Sequence, residues 1–485
     1  MVRSLLVALL GIFALPAVLA GEEEYYRMIT LPTPEGLPFE VSGLETLRTG
    51  ALAVAIRRGE VWLITNPYQD PPGKLRLKRI ASALHEPLGL LQHGDSLYLA
   101  QRSELTRMRD QNDDGVMDEY RTLYNGWGIT GNYHEYAYGP KVDSQGNFWV
   151  TLNSTIGDKA TRNEAWRGWG LKVTPEGKMF PVSAGMRSPS GLGLNADGAV
   201  FFTDQQGNWI GTCTLNHMQE GDFFGHVDSL KFCSLPGSPI QCPDKIPSGI
   251  PILEARKQLP ILKLPAVWFP YNKVARSTTD IVCDQSGGRF GPFEDQLFIG
   301  DFTMALILRV YLEKVGGEYQ GACFPFRKGF QSAVVRLAWG IDGSLFVGET
   351  NRGWNSIGNR SFGLQRLVWT GKVPFEVKEM RAMKDGFELV FTKPIDRNRG
   401  SDPRSYRMTS YTYLYHPDYG SPEIETQTPK IRTASVAASG RRVRLVIDGL
   451  REGYVHELQL PGVMSEAGRP LLHDRAYYTL NQIPK

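Results

Sequence analysis

Two residues in this sequence carry the chemistry expected of an active centre. His134 lies in the stretch Gly131 to Asn153, GNYHEYAYGPKVDSQGNFWVTLN. An imidazole titrates near neutrality, so it is the commonest general base. Arg187 lies in Met186-Arg-Ser-Pro-Ser-Gly191. A guanidinium can steady an oxyanion or hold a carboxylate. The competing reading of His134 is structural: a strand-start histidine satisfied by its neighbours.

A second group is Asp110-Gln-Asn112-Asp-Asp114-Gly115-Val116-Met-Asp118. Side-chain oxygens at its first, third and fifth positions, a glycine at the sixth and an acid at the ninth suit calcium. Asp110, Asn112, Asp114, Val116 and Asp118 are the candidate ligands. The twelfth position is Arg121, where an EF-hand has glutamate, and no helical flanks are evident. The loop is therefore either a calcium-stapled connection between repeats or a solvated acidic turn.

These residues need a frame, and the sequence repeats one. Asp143-Ser-Gln-Gly146 is a turn, followed by the strand-like Phe148-Trp-Val-Thr-Leu152. The same turn-then-strand unit leads ALAVAI, SLYLAQ, AVFFTD, QLFIGD and SLFVGE. The anchors at 50, 95, 146, 198, 295 and 343 are 45, 51, 52, 97 and 48 residues apart. Such a period, with several short strands per repeat, marks the blades of a β-propeller. The doubled gap holds an irregular, proline-rich insertion at 231–276 and does not hide an extra unit, which leaves six blades. Tyr25 to Leu31 reads as a strand that closes the ring on the last blade, leaving no open edge.

Six residues past each anchor stand Ile56, Gln101, Leu152, Asp204, Asp301 and Glu349. If these strands end near the channel, three acids and the nearby Arg57, Arg58, Arg102 and Arg352 converge at one mouth. Gln101, Arg102, Arg187, Asp204, Asp301 and Arg352 are then the candidates for holding a cofactor. Ion pairs between blades are the alternative, since buried charge requires a partner. Trp127, Trp166, Trp169, Trp209 and Trp354 fall in loop-like stretches nearby. They could stack on sugars or a planar cofactor, or pack the loops.

Beyond residue 375 the unit stops and alternation takes over, as in Phe387, Leu389 and Phe391, and in Val443, Leu445 and Ile447. The expected architecture is all-β. A six-bladed β-propeller at 22–375 is followed by a separate immunoglobulin-like β-sandwich at 376–485. No chemistry is evident in the sandwich, where His416 and His473 read as surface or packing residues.

Composition sets the surroundings. Arg3, the apolar Leu5 to Leu19 and Val18-Leu-Ala20 read as an export signal over 1–20. No other stretch reads as a membrane span, so a soluble periplasmic or secreted protein is expected. A net charge of +3 without a basic run argues against nucleic acid. Of five cysteines, Cys233 and Cys242 flank a short loop and form the best candidate disulfide. No C-x-x-C occurs, which excludes the usual attached haem.

The pattern of His134 before Gly-Pro-x-x-Asp-x-x-Gly and a hydrophobic strand resembles the histidine blade of the soluble quinoprotein sugar dehydrogenases, the glucose and sorbosone type. Met186 to Leu192 resembles that family's Arg-Asn-Pro-x-Gly segment. Leu297-Phe-Ile-Gly-Asp301 and Asp342-Gly-Ser-Leu-Phe346 resemble its later blades. Residues 35–375, with GNWIG and the Asn-Arg-Gly-Trp loop, look closer still to large secreted proteins named as membrane-bound dehydrogenases. The resemblance covers about 340 of 485 residues.

This resemblance implies pyrroloquinoline quinone at the channel mouth and a calcium ion that polarises it. It implies a carbohydrate or alcohol substrate, His134 as base, Arg187 near the reacting quinone oxygen, and a separate c-type cytochrome as electron acceptor. The family's paired arginines fall on Ala333 and Val335, its blade-five lysine near Thr303 or Met304, and its asparagine on Ser188. Two other readings stand beside it. One is a calcium-dependent propeller hydrolase or lactonase using Asn153, Asp204, Asp301 and Glu349. The other is a propeller that binds without catalysis.

Overall fold

The computed structural model describes residues 21–157 and 164–485; the expected signal at 1–20 lies outside the described residues. Six antiparallel blades of four strands each surround one axis. The innermost strands are Val41–Thr46, Leu91–His93, Ala137–Val142, Gly191–Leu194, Thr278–Cys283 and Val334–Trp339. They touch one another around the axis.

The strands that carry the sequence repeat are the second in each blade: Leu52–Ile56, Ser96–Ala100, Phe148–Leu152, Val200–Asp204, Leu297–Asp301 and Leu345–Thr350. They are not the innermost, as the repeat alone suggests. The reason they stand out is burial. Each blade lies between two others, so both faces of these strands are covered. All five residues of Leu52–Ile56 are buried, and likewise those of Val200–Asp204. The result is a continuous apolar run in place of alternation. The innermost strands carry a weaker signal because backbone packs on backbone there. A Cβ on Gly89 would lie 2.3 Å from the carbonyl oxygen of Gly139, and one on Gly191 would lie 2.0 Å from that of Thr279. Only glycine lets neighbouring blades approach so closely.

The ring closes as expected. Tyr26–Thr30 is the outermost strand of blade six, with Tyr26 opposite Trp369 and Thr30 opposite Gln365. The insertion is shorter than its composition implied. Val267–Phe269 lies inside 231–276 but is the fourth strand of blade four, pairing with Cys213–Leu215. The disulfide between Cys233 and Cys242 is formed, with Cα atoms 5.4 Å apart. Cys213, Cys283 and Cys323 are buried free thiols.

The C-terminal region consists of two antiparallel sheets around one core that includes Phe375, Met380, Phe387, Leu445 and Leu458. One sheet holds Val377–Met383, Gly386–Phe391, Lys430–Val436 and Arg442–Asp448. The other is not separate from the propeller. Its strand Arg475–Leu480 pairs with the outer strand of blade five, Glu318–Lys328, setting Gly321 opposite Thr479 and Cys323 opposite Tyr477. An eight-stranded sheet therefore runs from the axis into the C-terminal region.

Arg309 fastens this joint. It is fully buried, with its guanidinium carbon 4.1 Å from the ring centres of both Phe293 and Phe324. It donates to Gln296 Oε1 at 2.9 Å, to the Lys378 carbonyl at 3.1 Å and to the Val377 carbonyl. A chain ended at Pro374 would strip Arg309 of these linker acceptors and bare the outer edge of blade five. Exposed sheet edges promote association. We expect that truncated chain to elute as soluble aggregate or to be insoluble, where the full chain is monodisperse by size-exclusion chromatography. A monodisperse truncated propeller would show that the joint is dispensable.

Candidate active site at the channel mouth

Antiparallel pairing brings the ends of the second strands to the starts of the innermost ones. Ala137 faces Leu152, Thr278 faces Asp301, and Val334 faces Glu349. At this end a cleft of about 260 Å³ opens, and every blade contributes to its wall. His134 and Arg187 both line it, as do Arg57, Arg336 and Arg352. Among the described residues, no aspartate or glutamate lines it. Four guanidiniums, of which only Arg57 has an acid partner, make a positive cavity.

The segment bearing His134 is firmly held. Glu135 is fully buried; its carboxylate accepts from Thr130 N–H at 2.6 Å, from Thr130 Oγ1 at 2.7 Å and from Thr155 Oγ1 at 3.0 Å. These bonds hold its pKa below the ordinary carboxylate value, against the effect of burial. The buried Arg167 donates to the carbonyls of Tyr136 at 2.8 Å, Arg102 at 3.1 Å and Gly128 at 2.7 Å. Arg102 donates to the carbonyls of Asn132 at 3.2 Å and Tyr133 at 2.9 Å, in the chain leading to the histidine. The backbone N–H of His134 itself donates to Asn132 Oδ1 at 2.9 Å.

Arg187 is buried by a close-fitting backbone. A Cβ on Gly207 would fall 1.9 Å from Arg187 Nε, so the guanidinium in this pose lies directly against the Gly207 backbone. Its Nη1 donates to the Gln206 carbonyl at a long 3.3 Å, and Nε is buried without a partner. Arg187, Arg336 and Arg352 form no ion pair among the described residues, whereas Arg57 is bound to Glu86 at 2.6 Å. Arg336 lies on an innermost strand, closest to the axis. It donates to the carbonyls of Ser42 at 2.9 Å and Val335 at 2.6 Å, with longer contacts to Ser190 and Leu88.

The other expected cofactor ligands take different roles. Gln101, Arg102, Asp204 and Asp301 do not line the cleft. Asp204 accepts from the backbone N–H groups of Arg187 at 2.8 Å and Ser188 at 2.6 Å. Asp301 accepts from those of Arg276 at 2.6 Å, Ser277 at 2.7 Å and Met304 at 2.7 Å. Gln101 accepts from His85 N–H in the equivalent place. These side chains tie the chain entering an innermost strand to the second strand of the same blade. The repeat needs an acceptor there for orphaned backbone donors. Arg102 binds Glu86. Asp204, Asp301 and Glu349 form no ion pairs among the described residues, so the expected arginine partners are absent. Burial pushes the Asp204 carboxyl up to about 6, with the backbone donors opposing.

The acidic loop lies elsewhere. It joins the third and fourth strands of blade two, and Lys78 of blade one donates to its Asp114 carbonyl at 2.7 Å. Its carboxylate and amide oxygens accept from its own backbone N–H groups: Asp110 from Gly115 at 2.7 Å, Asn112 from Asp114 at 3.0 Å, Asp114 from Val116 at 2.8 Å, and Asp118 from Gln111 at 3.0 Å. Among the described residues, no group of three or more His, Cys, Asp or Glu side chains is gathered to hold a metal ion.

Of the tryptophans, Trp127, Trp166 and Trp169 are buried in the core, and Trp209 packs on Tyr415. Trp354 alone of the five reaches the cleft, 60% exposed. The sequence pattern did not single out Arg336, Tyr138 or Tyr419. Arg336 had a legible signal: a charge at the centre of Val334-Val-Arg-Leu-Ala-Trp339, an otherwise apolar strand.

Comparison with known proteins agrees with this architecture. Residues 76–231 match a family described as a domain of unknown function, DUF7133. No curated protein sequence matches the chain. A glucose dehydrogenase from Thermus thermophilus superposes with a TM-score of 0.51 at 18% identity, over 71% of this chain and 100% of that one. A Trichoderma reesei protein of Carbohydrate-Active Enzymes Family AA12 gives 0.50 at 16% identity, over 73% and 97%. A further structure described as a glucose dehydrogenase gives 0.50 at 16%, over 70% and 98%. The chain shares the fold of these proteins, two of which are described as glucose dehydrogenases. At these identities the likeness is one of architecture, and it agrees with the family resemblance in the sequence.

One residue at the mouth gives a clean test of this geometry. Glu349 is fully buried, and neither carboxylate oxygen makes a well-formed hydrogen bond. Burial pushes its pKa up to about 9, and the nearby Gln331 side chain and Ser332 N–H oppose that rise only in part. The native state therefore keeps a proton that the unfolded chain loses above its ordinary value of 4.5. This contribution to stability is fully present below that value and is lost as the pH rises toward 9. The slope is up to about 1.4 kcal/mol per pH unit. Glu349→Gln should melt above wild type at pH 8 and together with it near pH 4.5. Equal differences at both pH values would contradict the burial of this acid.

Proposed function

We propose that this protein is a quinone-dependent dehydrogenase of sugars or alcohols, and that the channel-mouth cleft holds pyrroloquinoline quinone. The observation that carries the reading is the charge of the wall: four arginines and a histidine, with no acid. A flat tricarboxylate needs several cationic contacts from different directions. Arg57, Arg187, Arg336 and Arg352 come from blades one, four and six and supply that arrangement in place of the arginines that Ala333 and Val335 replace. The unpartnered Nε of Arg187 is a donor awaiting an acceptor. The dehydrogenase fold and the family resemblance point the same way.

In this reading, the bound quinone supplies the two-electron sink for a hydride leaving the substrate carbon. His134 accepts the hydroxyl proton, so a carbonyl product forms. The Glu135 and Arg167 bonds fix the backbone around His134 before substrate arrives, which lowers the cost of orientation. Arg187 stabilises negative charge on the reacting oxygen. A separate c-type cytochrome would serve as the electron acceptor. The protein works outside the cytoplasm; the expected signal at 1–20 supports this. No described helix is long and apolar enough to cross a membrane.

The cleft disfavours a calcium-dependent hydrolase. Asp204 and Asp301 are committed to backbone donors, burial favours the uncharged form of Glu349, and the guanidiniums repel a cation. Calcium belongs in this proposal at the acidic loop. One oxygen of Asp110 is bonded to Gly115 and the other is buried without a partner. Millimolar calcium should raise the melting temperature, and Asp110→Ala should abolish the rise. No calcium effect on wild type would return the loop to a plain acidic turn.

The function is tested by titrating the protein with pyrroloquinoline quinone and following tryptophan quenching, then dye reduction with a panel of aldoses and alcohols. We expect saturable binding, and activity that His134→Ala lowers by about 10²–10⁴-fold while leaving the melting curve and quinone affinity close to wild type. Absence of quinone binding by wild type would overturn the dehydrogenase and favour a propeller that binds without catalysis.

A further inference from the structure

Tyr419 belongs to the C-terminal region, where the sequence offered no chemistry, yet it lines the channel-mouth cleft. Its ring centre lies 5.2 Å from the guanidinium carbon of Arg187, and the side chain is 58% exposed. The turn that carries it is fixed to blade four on both sides. Gly420 N–H donates to the Gly207 carbonyl at 3.0 Å, and Trp209 N–H donates to the His416 carbonyl at 3.0 Å. Asn208 Nδ2 donates to the Pro417 carbonyl at 2.8 Å, and Ser421 N–H to the Gly211 carbonyl at 2.8 Å. His416 stiffens the turn from inside, its ring nitrogens 2.9 Å from the Gly420 carbonyl and 3.2 Å from Asp418. Gly420 has φ +68°, and a Cβ there would lie 2.7 Å from Gln206 Cδ, so the close seat needs glycine.

An exposed aromatic ring normally gains nothing from being held so firmly. Here it covers a buried arginine that is sparsely held. Other buried arginines are well supplied: Arg167 has three carbonyl acceptors within 3.1 Å. Arg187 has no ion pair among the described residues, its Nε is unpartnered, and the Gln206 carbonyl is a distant acceptor. We propose that Tyr419 is a positioning residue of the cleft: its ring face holds the Arg187 guanidinium in the pose that meets a ligand's carboxylate or oxyanion. The C-terminal region thereby completes a site otherwise built by the propeller. The inference rests on the reading of the cleft as an anion receptor, but its first test does not require any ligand.

That test is labelling of the arginines with phenylglyoxal, read peptide by peptide by mass spectrometry. In wild type Arg187 should react slowly. Tyr419→Ala should raise its rate about threefold to tenfold, the range of a cation–π contact removed from a partly desolvated pair. Tyr419→Phe keeps the ring and should leave the rate within about twofold of wild type. Arg352, on a loop of blade six, serves as the internal control. The second measurement is the affinity for pyrroloquinoline quinone, which Tyr419→Ala should weaken by a similar factor and Tyr419→Phe should preserve. Equal Arg187 labelling in wild type and Tyr419→Ala overturns the positioning role whether or not the quinone binds. Faster labelling without quinone binding by wild type upholds the positioning of Arg187 and sinks only the identity of the ligand. Melting curves of both variants should match wild type, because the side chain is mostly exposed.

Discussion

A single guanidinium on the axis of the ring sets the terms for everything above it. Arg336 extends from an innermost strand and meets main-chain carbonyls of blades one, two, four and six. Those acceptors are available because the innermost strands pack backbone against backbone, with glycines such as Gly89 and Gly191 at the contacts. The carbonyls satisfy the donors but do not neutralise the charge. A buried charge without a counter-ion is costly, and an anion placed above it relieves that cost. The floor of the cleft therefore carries an uncompensated positive charge before any mouth residue is considered.

The surrounding groups build on that floor. Arg187 and Arg352 stand around the rim without ion pairs among the described residues, and Arg57 beside them is paired with Glu86. Asp204 and Asp301 bind backbone N–H groups, and Glu86 takes up Arg57 and Arg102. His134 enters on a segment locked by Glu135, Arg167 and Arg102. Negative charge is thus consumed in holding the scaffold, and positive charge is left facing the cavity.

The repeat was legible because the second strand of each blade is buried on both faces, which writes an unbroken apolar run after each turn. Blade count, ring closure by Tyr26–Thr30 and the place of His134 and Arg187 follow from it. The reading failed where residue type alone was used to assign a role. Asp204 and Asp301 looked like ligands, but the same position needs an acceptor for orphaned backbone donors, and Gln101 fills it as well. Arg336 and Tyr419 came from outside the repeat's alignment. The pairing of Gly321–Cys323 with Tyr477–Thr479 joins strands far apart in sequence, and no local pattern announces such a partner.

The two long-range pairings also impose an order of events on the chain. Tyr26–Thr30 must wait, unpaired, until Phe362–Trp369 has been made and can receive it. Blade five likewise keeps a bare edge until Arg475–Leu480 arrives from far downstream. Contacts of such sequence separation are the slowest to form. A chain that emerges from one end therefore passes through a stage with most blades built and two edges open. During that stage it is exposed to edge-to-edge association with other copies.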